Sequence, residues 1–159
     1  MRKWGLALAL TIGAALALAA PSFAATTVDV KATFTEGIAQ QFGCSVQPNG
    51  NCGSGTVLPY GRATETILFG AACSGNCDLR TITLAQGTLV LDETFSSFTC
   101  PGACKSHGFG QGSGTLTDVV DGADSTGIFA GASGTLTGTV QGAGGSTKIT
   151  LSGTITLAS

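Results

Sequence analysis

Three charged residues, Glu65, Arg80 and Glu93, make the best case for chemistry in this chain. Each falls in a stretch where apolar and polar residues alternate. Ala63, Glu65, Ile67 and Phe69 form one such set, Arg80, Ile82 and Leu84 a second, and Leu89, Leu91 and Glu93 a third. A period of two marks a strand with one buried face. A two-residue turn at Gln86-Gly87 would set Leu84 opposite Leu89, Ile82 opposite Leu91 and Arg80 opposite Glu93. The apolar pairs define the inner face, so Arg80 and Glu93 are expected to point inward as an ion pair, joined by Glu65. Carboxylates in a ligand cavity could act as acid and base. At a half-solvated rim the same pair would be structural only, and a one-residue slip would turn it outward.

Other reactive residues offer less. His107 is the single histidine, and a catalytic triad has no Gly-x-Ser-x-Gly nucleophile here to serve. Asp118, Asp121 and Asp124 recur every third residue, whereas a calcium loop wants ligands at alternate positions and a closing Glu; they read as turn residues. Gly108–Gly114 is glycine-rich, but no helix follows that could receive a phosphate. No cofactor or metal site is expected. The six cysteines form three close couples, Cys44/Cys52, Cys73/Cys77 and Cys100/Cys104. In an exported chain these read as disulfides. Turn residues inside each couple favour local pairing, although fifteen connectivities are formally open. On the chain-entropy model each small loop contributes about 2–3 kcal/mol. Cys-x3-Cys spacing without a histidine nearby is poor for zinc.

The elements that must position these residues are strands. Alternation runs through Thr27–Thr35, Thr56–Tyr60, Arg62–Ala71, Leu79–Ala85, Thr88–Phe98, Gly112–Val119, Gly134–Gln141 and Lys148–Leu157. Gln47–Gly55 reads as a polar loop, and Ile38–Phe42 as a short strand or a turn of helix. A Gly144-Gly145 turn would place Val140 opposite Ile149, Gly138 opposite Leu151 and Leu136 opposite Gly153, large against small. Outside, Thr139 would meet Thr150, Thr137 Ser152, and Thr135 Thr154. The fold expected is all-β: a single antiparallel up-and-down β-barrel of about eight strands, stapled by disulfides. Closure removes the sheet edges that would otherwise be exposed.

Residues 1–24 read as a secretory signal peptide: Arg2 and Lys3, an apolar run from Gly5 to Ala20, and a small-residue exit at Ser22 and Ala24. Residues 25–159 are then one domain, secreted or periplasmic, with no later span apolar enough for a bilayer. Without Arg2 and Lys3 the chain keeps five basic and nine acidic residues, a net charge of −4. No basic cluster exists, which excludes nucleic acid and anionic membranes on electrostatic grounds. Tyr60 and the absence of Trp after residue 24 leave few rings to stack on sugars or bases.

The segment Ser125–Thr135, with Gly127-Ile128-Phe129-Ala130-Gly131-Ala132-Ser133-Gly134 at its centre, resembles the C-terminal half of small exported bacterial proteins of unknown function. Their barrel is similar to that of allene oxide cyclases and dirigent proteins. The resemblance covers about the last 35 residues, and the clustered cysteines lie outside it. It implies that Phe129 plugs one end of the barrel, with glycines turning the chain past it. Cyclases of this fold act on a hydrophobic substrate in the barrel, but none of their functional residues map onto this chain. Three readings compete. The favoured one is a non-catalytic binding or surface-associated protein, with a small apolar ligand in the lumen as a possible partner. The second is a cyclase- or isomerase-like enzyme using Glu65, Glu93 and Arg80, which needs an open lumen. The third is an ice- or surface-adsorbing protein using its Thr rows. The oligomeric state is not readable.

Overall fold

The computed structural model describes residues 24–37, 46, 49–99, 112–143 and 146–159. They form eight strands: β1 (Thr26–Gly37), β2 (Gly50–Leu58), β3 (Gly61–Ala72), β4 (Cys77–Leu84), β5 (Gly87–Thr99), β6 (Ser113–Val120), β7 (Ser133–Ala143) and β8 (Ser146–Leu157). Each pairs antiparallel with its sequence neighbour, and β1 pairs with β8 from Thr26–Leu157 to Gly37–Ser146. The result is a closed up-and-down barrel. Most of the expected signal peptide, the Ile38–Phe42 segment, His107, and Cys44, Cys100 and Cys104 lie outside the described residues.

The interior is crowded, and its packing follows one rule. Val140 faces Ile149, Gly138 faces Leu151 and Leu136 faces Gly153. A Cβ on Gly138 would lie 2.7 Å from the Leu151 side chain, and one on Gly153 would lie 3.0 Å from that of Leu136. The same device recurs between β1 and β2. There Phe34, fully buried, lies over Gly55, where a Cβ would come within 2.8 Å of its ring. Glycine opposite a large residue lets a narrow barrel fill at native density.

Two expectations need correction. Gly50–Gly55 is strand, not loop. Its glycines and polar residues lack β propensity, but the glycines supply the space into which side chains of neighbouring strands press. The β4–β5 register also differs by two residues. Leu84 faces Gly87, Ile82 faces Leu89, Arg80 faces Leu91, and Asp78 faces Glu93. The turn falls at Ala85-Gln86, because Gly87 has another task. With φ +146 it lies against the β6–β7 connection, where a Cβ would stand 2.9 Å from Gly127 Cα. That connection continues the wall beside β5: the Thr126 N–H donates to Thr88 O (2.8 Å), and the Val90 N–H donates to Ser125 Oγ (3.0 Å). It delivers Phe129, in a 3-10 turn at Gly127–Phe129, fully buried into the core and edge-on to Tyr60 at 5.0 Å.

Gly138→Val should destabilise the barrel by at least about 1–3 kcal/mol, measured by urea unfolding, because a Cβ there meets the Thr150 backbone oxygen as well as the Leu151 side chain. Leu151→Ala in the same chain should recover little of the loss, because it leaves the Thr150 oxygen in place.

Candidate functional site

Alternation along five strands sends a charged residue into the barrel at one level. Glu36 extends the inward series Val30, Ala32, Phe34 on β1, and Asp118 lies between Leu116 and Val120 on β6. Glu65, Arg80 and Glu93 come from β3, β4 and β5. All five are buried, with Arg80 at 1 % exposure and Asp118 at 0 %. Arg80 is the hub. Its Nε donates to Glu93 Oε2 at 2.8 Å, Nη2 donates to the same oxygen at 2.5 Å, and Nη1 donates to Glu36 Oε1 at 2.9 Å and to Glu65 Oε2. A planar guanidinium suits this, because its five N–H groups spread in a fixed fork.

Gly53 on β2 makes the room. It faces Glu36 on one side and Glu65 on the other. A Cβ there would come within 2.6 Å of Glu65 Oε1 and 3.1 Å of Glu36 Cγ. On the other flank, Asp118 sits directly across from Glu93. Neither Asp118 oxygen meets an N–H or hydroxyl donor, nor does Glu65 Oε1, but the Glu93 carboxyl lies within hydrogen-bonding reach of Asp118. Asp78 stands at the edge of the cluster, where its Oδ1 accepts the Gly70 N–H at 2.8 Å beside the β3–β4 irregularity.

Electrostatics follow from burial. Burial pushes the Glu65 carboxyl up to about 8, against the opposing pull of Arg80. Glu93 is raised for the same reason, again partly offset by Arg80. Asp118 is driven well above the ordinary carboxylate range by burial, and the adjacent Glu93 adds to the rise. Burial works against the Arg80 charge too, but Glu65, Glu93 and Glu36 outweigh it and hold the guanidinium ionised. Burial thus raises the proton affinity of Glu65, Glu93 and Asp118 around one permanent cation.

Sequence reading found Glu65, Arg80 and Glu93 but not Glu36, and it took Asp118 for a turn residue. Asp118 is a strand residue facing the interior. Asp121 does serve a turn: its Oδ1 accepts the Ala123 N–H at 3.0 Å. Strand alternation carried the missing signal in both cases. Cys73 and Cys77 form a disulfide across the β3–β4 turn, Cα atoms 5.2 Å apart, and Cys52 is also disulfide-bonded.

The outer face has a different chemistry. Ser97, Thr115, Thr139, Thr150, Thr33, Thr56 and Arg62 sit opposite one another in turn across seven strands, β5 through β8 and on to β1, β2 and β3. Within this row Ser97 and Thr115 hydrogen-bond at 2.9 Å, and Thr139 and Thr150 at 2.8 Å. A second row runs Thr35, Ser54, Thr64, Thr83, Thr88. A shallow groove of about 730 Å³ crosses the first row, lined by Thr115, Thr137, Thr139, Thr150 and Ser152, with Lys31 at its side.

Arg80→Met should remove the only cation of the cluster and cost about 3–5 kcal/mol, read by chemical denaturation. Glu65→Gln replaces a carboxyl whose ionisation burial opposes, and should cost under about 1.5 kcal/mol near pH 7.

The chain matches no protein-family model, no curated protein and no solved structure.

Proposed function

We propose that this chain is an exported, non-catalytic barrel that works at a surface, through the hydroxyl rows of its exterior. The observation that carries this reading is the register of those rows across seven strands, with a groove along them. Neighbouring strands lie about 4.8 Å apart and alternate residues on one strand about 6.7 Å apart. The exterior is thus a dense lattice of donors and acceptors that can each give and take a hydrogen bond.

The partner class that fits is a hydroxyl-rich polymer such as an envelope polysaccharide. The groove lining includes no aromatic ring, so affinity comes from many weak polar contacts. Ice is a poorer fit, because barrel sheets twist and an ice plane is flat. The Cys73–Cys77 disulfide agrees with an oxidising compartment.

The interior supports the non-catalytic side of this reading. Glu65, Glu93 and Arg80 are committed to one another at 2 % exposure or less. Fully buried Phe34, Leu91, Leu116 and Leu136 occupy the space that an apolar ligand would need. A substrate inside, as in the cyclases that the C-terminal segment resembles, would have to displace them.

Co-sedimentation with insoluble polysaccharides (cellulose, chitin, peptidoglycan) tests the proposal. The protein should pellet with at least one of them, and Thr139→Glu with Thr150→Glu should weaken binding by roughly tenfold, the equivalent of about 1.4 kcal/mol. Failure to bind any, or binding indifferent to the double substitution, would refute it. Thermal hysteresis in the absence of polysaccharide binding would point to ice instead.

A further inference from the structure

Inside the barrel the charges do not balance. Five strands bring titratable groups to the cluster: Glu36 from β1, Glu65 from β3, Arg80 and the bordering Asp78 from β4, Glu93 from β5 and Asp118 from β6. β2 brings only Gly53, and the inward residues of β7 and β8 carry no charge. Four buried carboxyls thus surround one guanidinium. Full ionisation would leave three uncompensated negative charges buried in the barrel, which a folded barrel does not sustain. Protons reduce the excess, and two of them leave a single net negative charge beside Arg80.

Geometry shows where they sit. Asp118 and Glu93 face each other directly, and neither Asp118 oxygen meets an N–H or hydroxyl donor. Two carboxyls so placed can hydrogen-bond only by sharing a proton. Glu65 gives one oxygen to Arg80 and leaves the other without a donor, so that oxygen suits an O–H.

We propose that this cluster is a proton-binding site of the native barrel, holding one proton between Glu93 and Asp118 and another on Glu65 at neutral pH, and that their loss in alkali unlatches the β5–β6 side of the barrel. The raised proton affinities of Asp118, Glu93 and Glu65 agree with this occupancy. The consequence for stability has a definite sign. The folded chain binds these protons more tightly than the unfolded chain, whose carboxyls titrate at about 4.3. Stability is therefore greatest at and below that pH and is lost as the pH rises through about 8, where Glu65 discharges.

Carboxyl-selective NMR or infrared difference spectroscopy on the intact barrel, together with melting temperature from about pH 4 to about pH 9, provides the test. Protonated carboxyl signals should persist at pH 7, one disappearing in Glu65→Gln and another in Asp118→Asn. The melting temperature should fall toward alkaline pH, more gently in each variant, and amide exchange should accelerate first along β5 and β6. Spectra with every carboxyl ionised at pH 7 in the unsubstituted protein would overturn the proposal, whether or not the variants fold. So would a melting temperature that rises or stays level over that range.

Discussion

Closing a sheet on itself sets the terms for everything else in this molecule. A closed barrel has no free edge, but it turns every second residue of eight strands into one dry, narrow space. Whatever enters that space must match its neighbours in volume and in charge. Volume is matched by setting glycine against leucine or phenylalanine, as with Gly138 and Leu151 or Gly55 and Phe34. Charge is only partly matched by Arg80, whose guanidinium reaches carboxyl groups from three different strands. Replacing such a cluster by hydrocarbon often costs nothing in stability, so its value lies in specifying which strands meet at this level.

The sequence made some of this legible and hid the rest for physical reasons. Alternation is a local property. It revealed the faces of most strands and the inward direction of Glu65, Arg80 and Glu93. A two-residue error in the β4–β5 turn left those faces intact, because a shift by an even number preserves the side on which each residue lies. It did set Leu91 rather than Glu93 directly opposite Arg80, while the Arg80–Glu93 ion pair formed across the diagonal. The β7–β8 register was readable because a Gly-Gly pair falls midway between two clean alternations. The first half of β2, Gly50–Gly55, was invisible, since its residues are chosen for the space they leave rather than for strand propensity. Alternation also pointed Glu36 and Asp118 inward, but that they join the same cluster emerges only on closure, because β1 and β6 reach it from opposite flanks.

Burial also changes what a partner meets. Four of the nine acidic residues and one of the five basic residues of the segment after residue 24 are inside. The described exterior carries Lys31, Arg62 and Lys148 against five carboxylates, spread among threonines and serines. Formal charge therefore overstates the electrostatic character of the surface. Contacts made there depend on hydroxyl geometry more than on long-range attraction, and salt should affect them little.

The seam between β1 and β8 has a consequence in time. β1 completes its pairing only with the strand farthest from it in sequence, along twelve residue pairs from Thr26–Leu157 to Gly37–Ser146. Every other ladder can form between neighbours as the chain lengthens, but this one waits for the last. Until β8 is present, β1 and β7 are open edges, and the Arg80 cluster lacks an enclosing wall. Such long-range closure is slow compared with hairpin formation. A chain still being synthesised therefore remains unclosed and pliable, and commits to its native shape only when its final strand arrives.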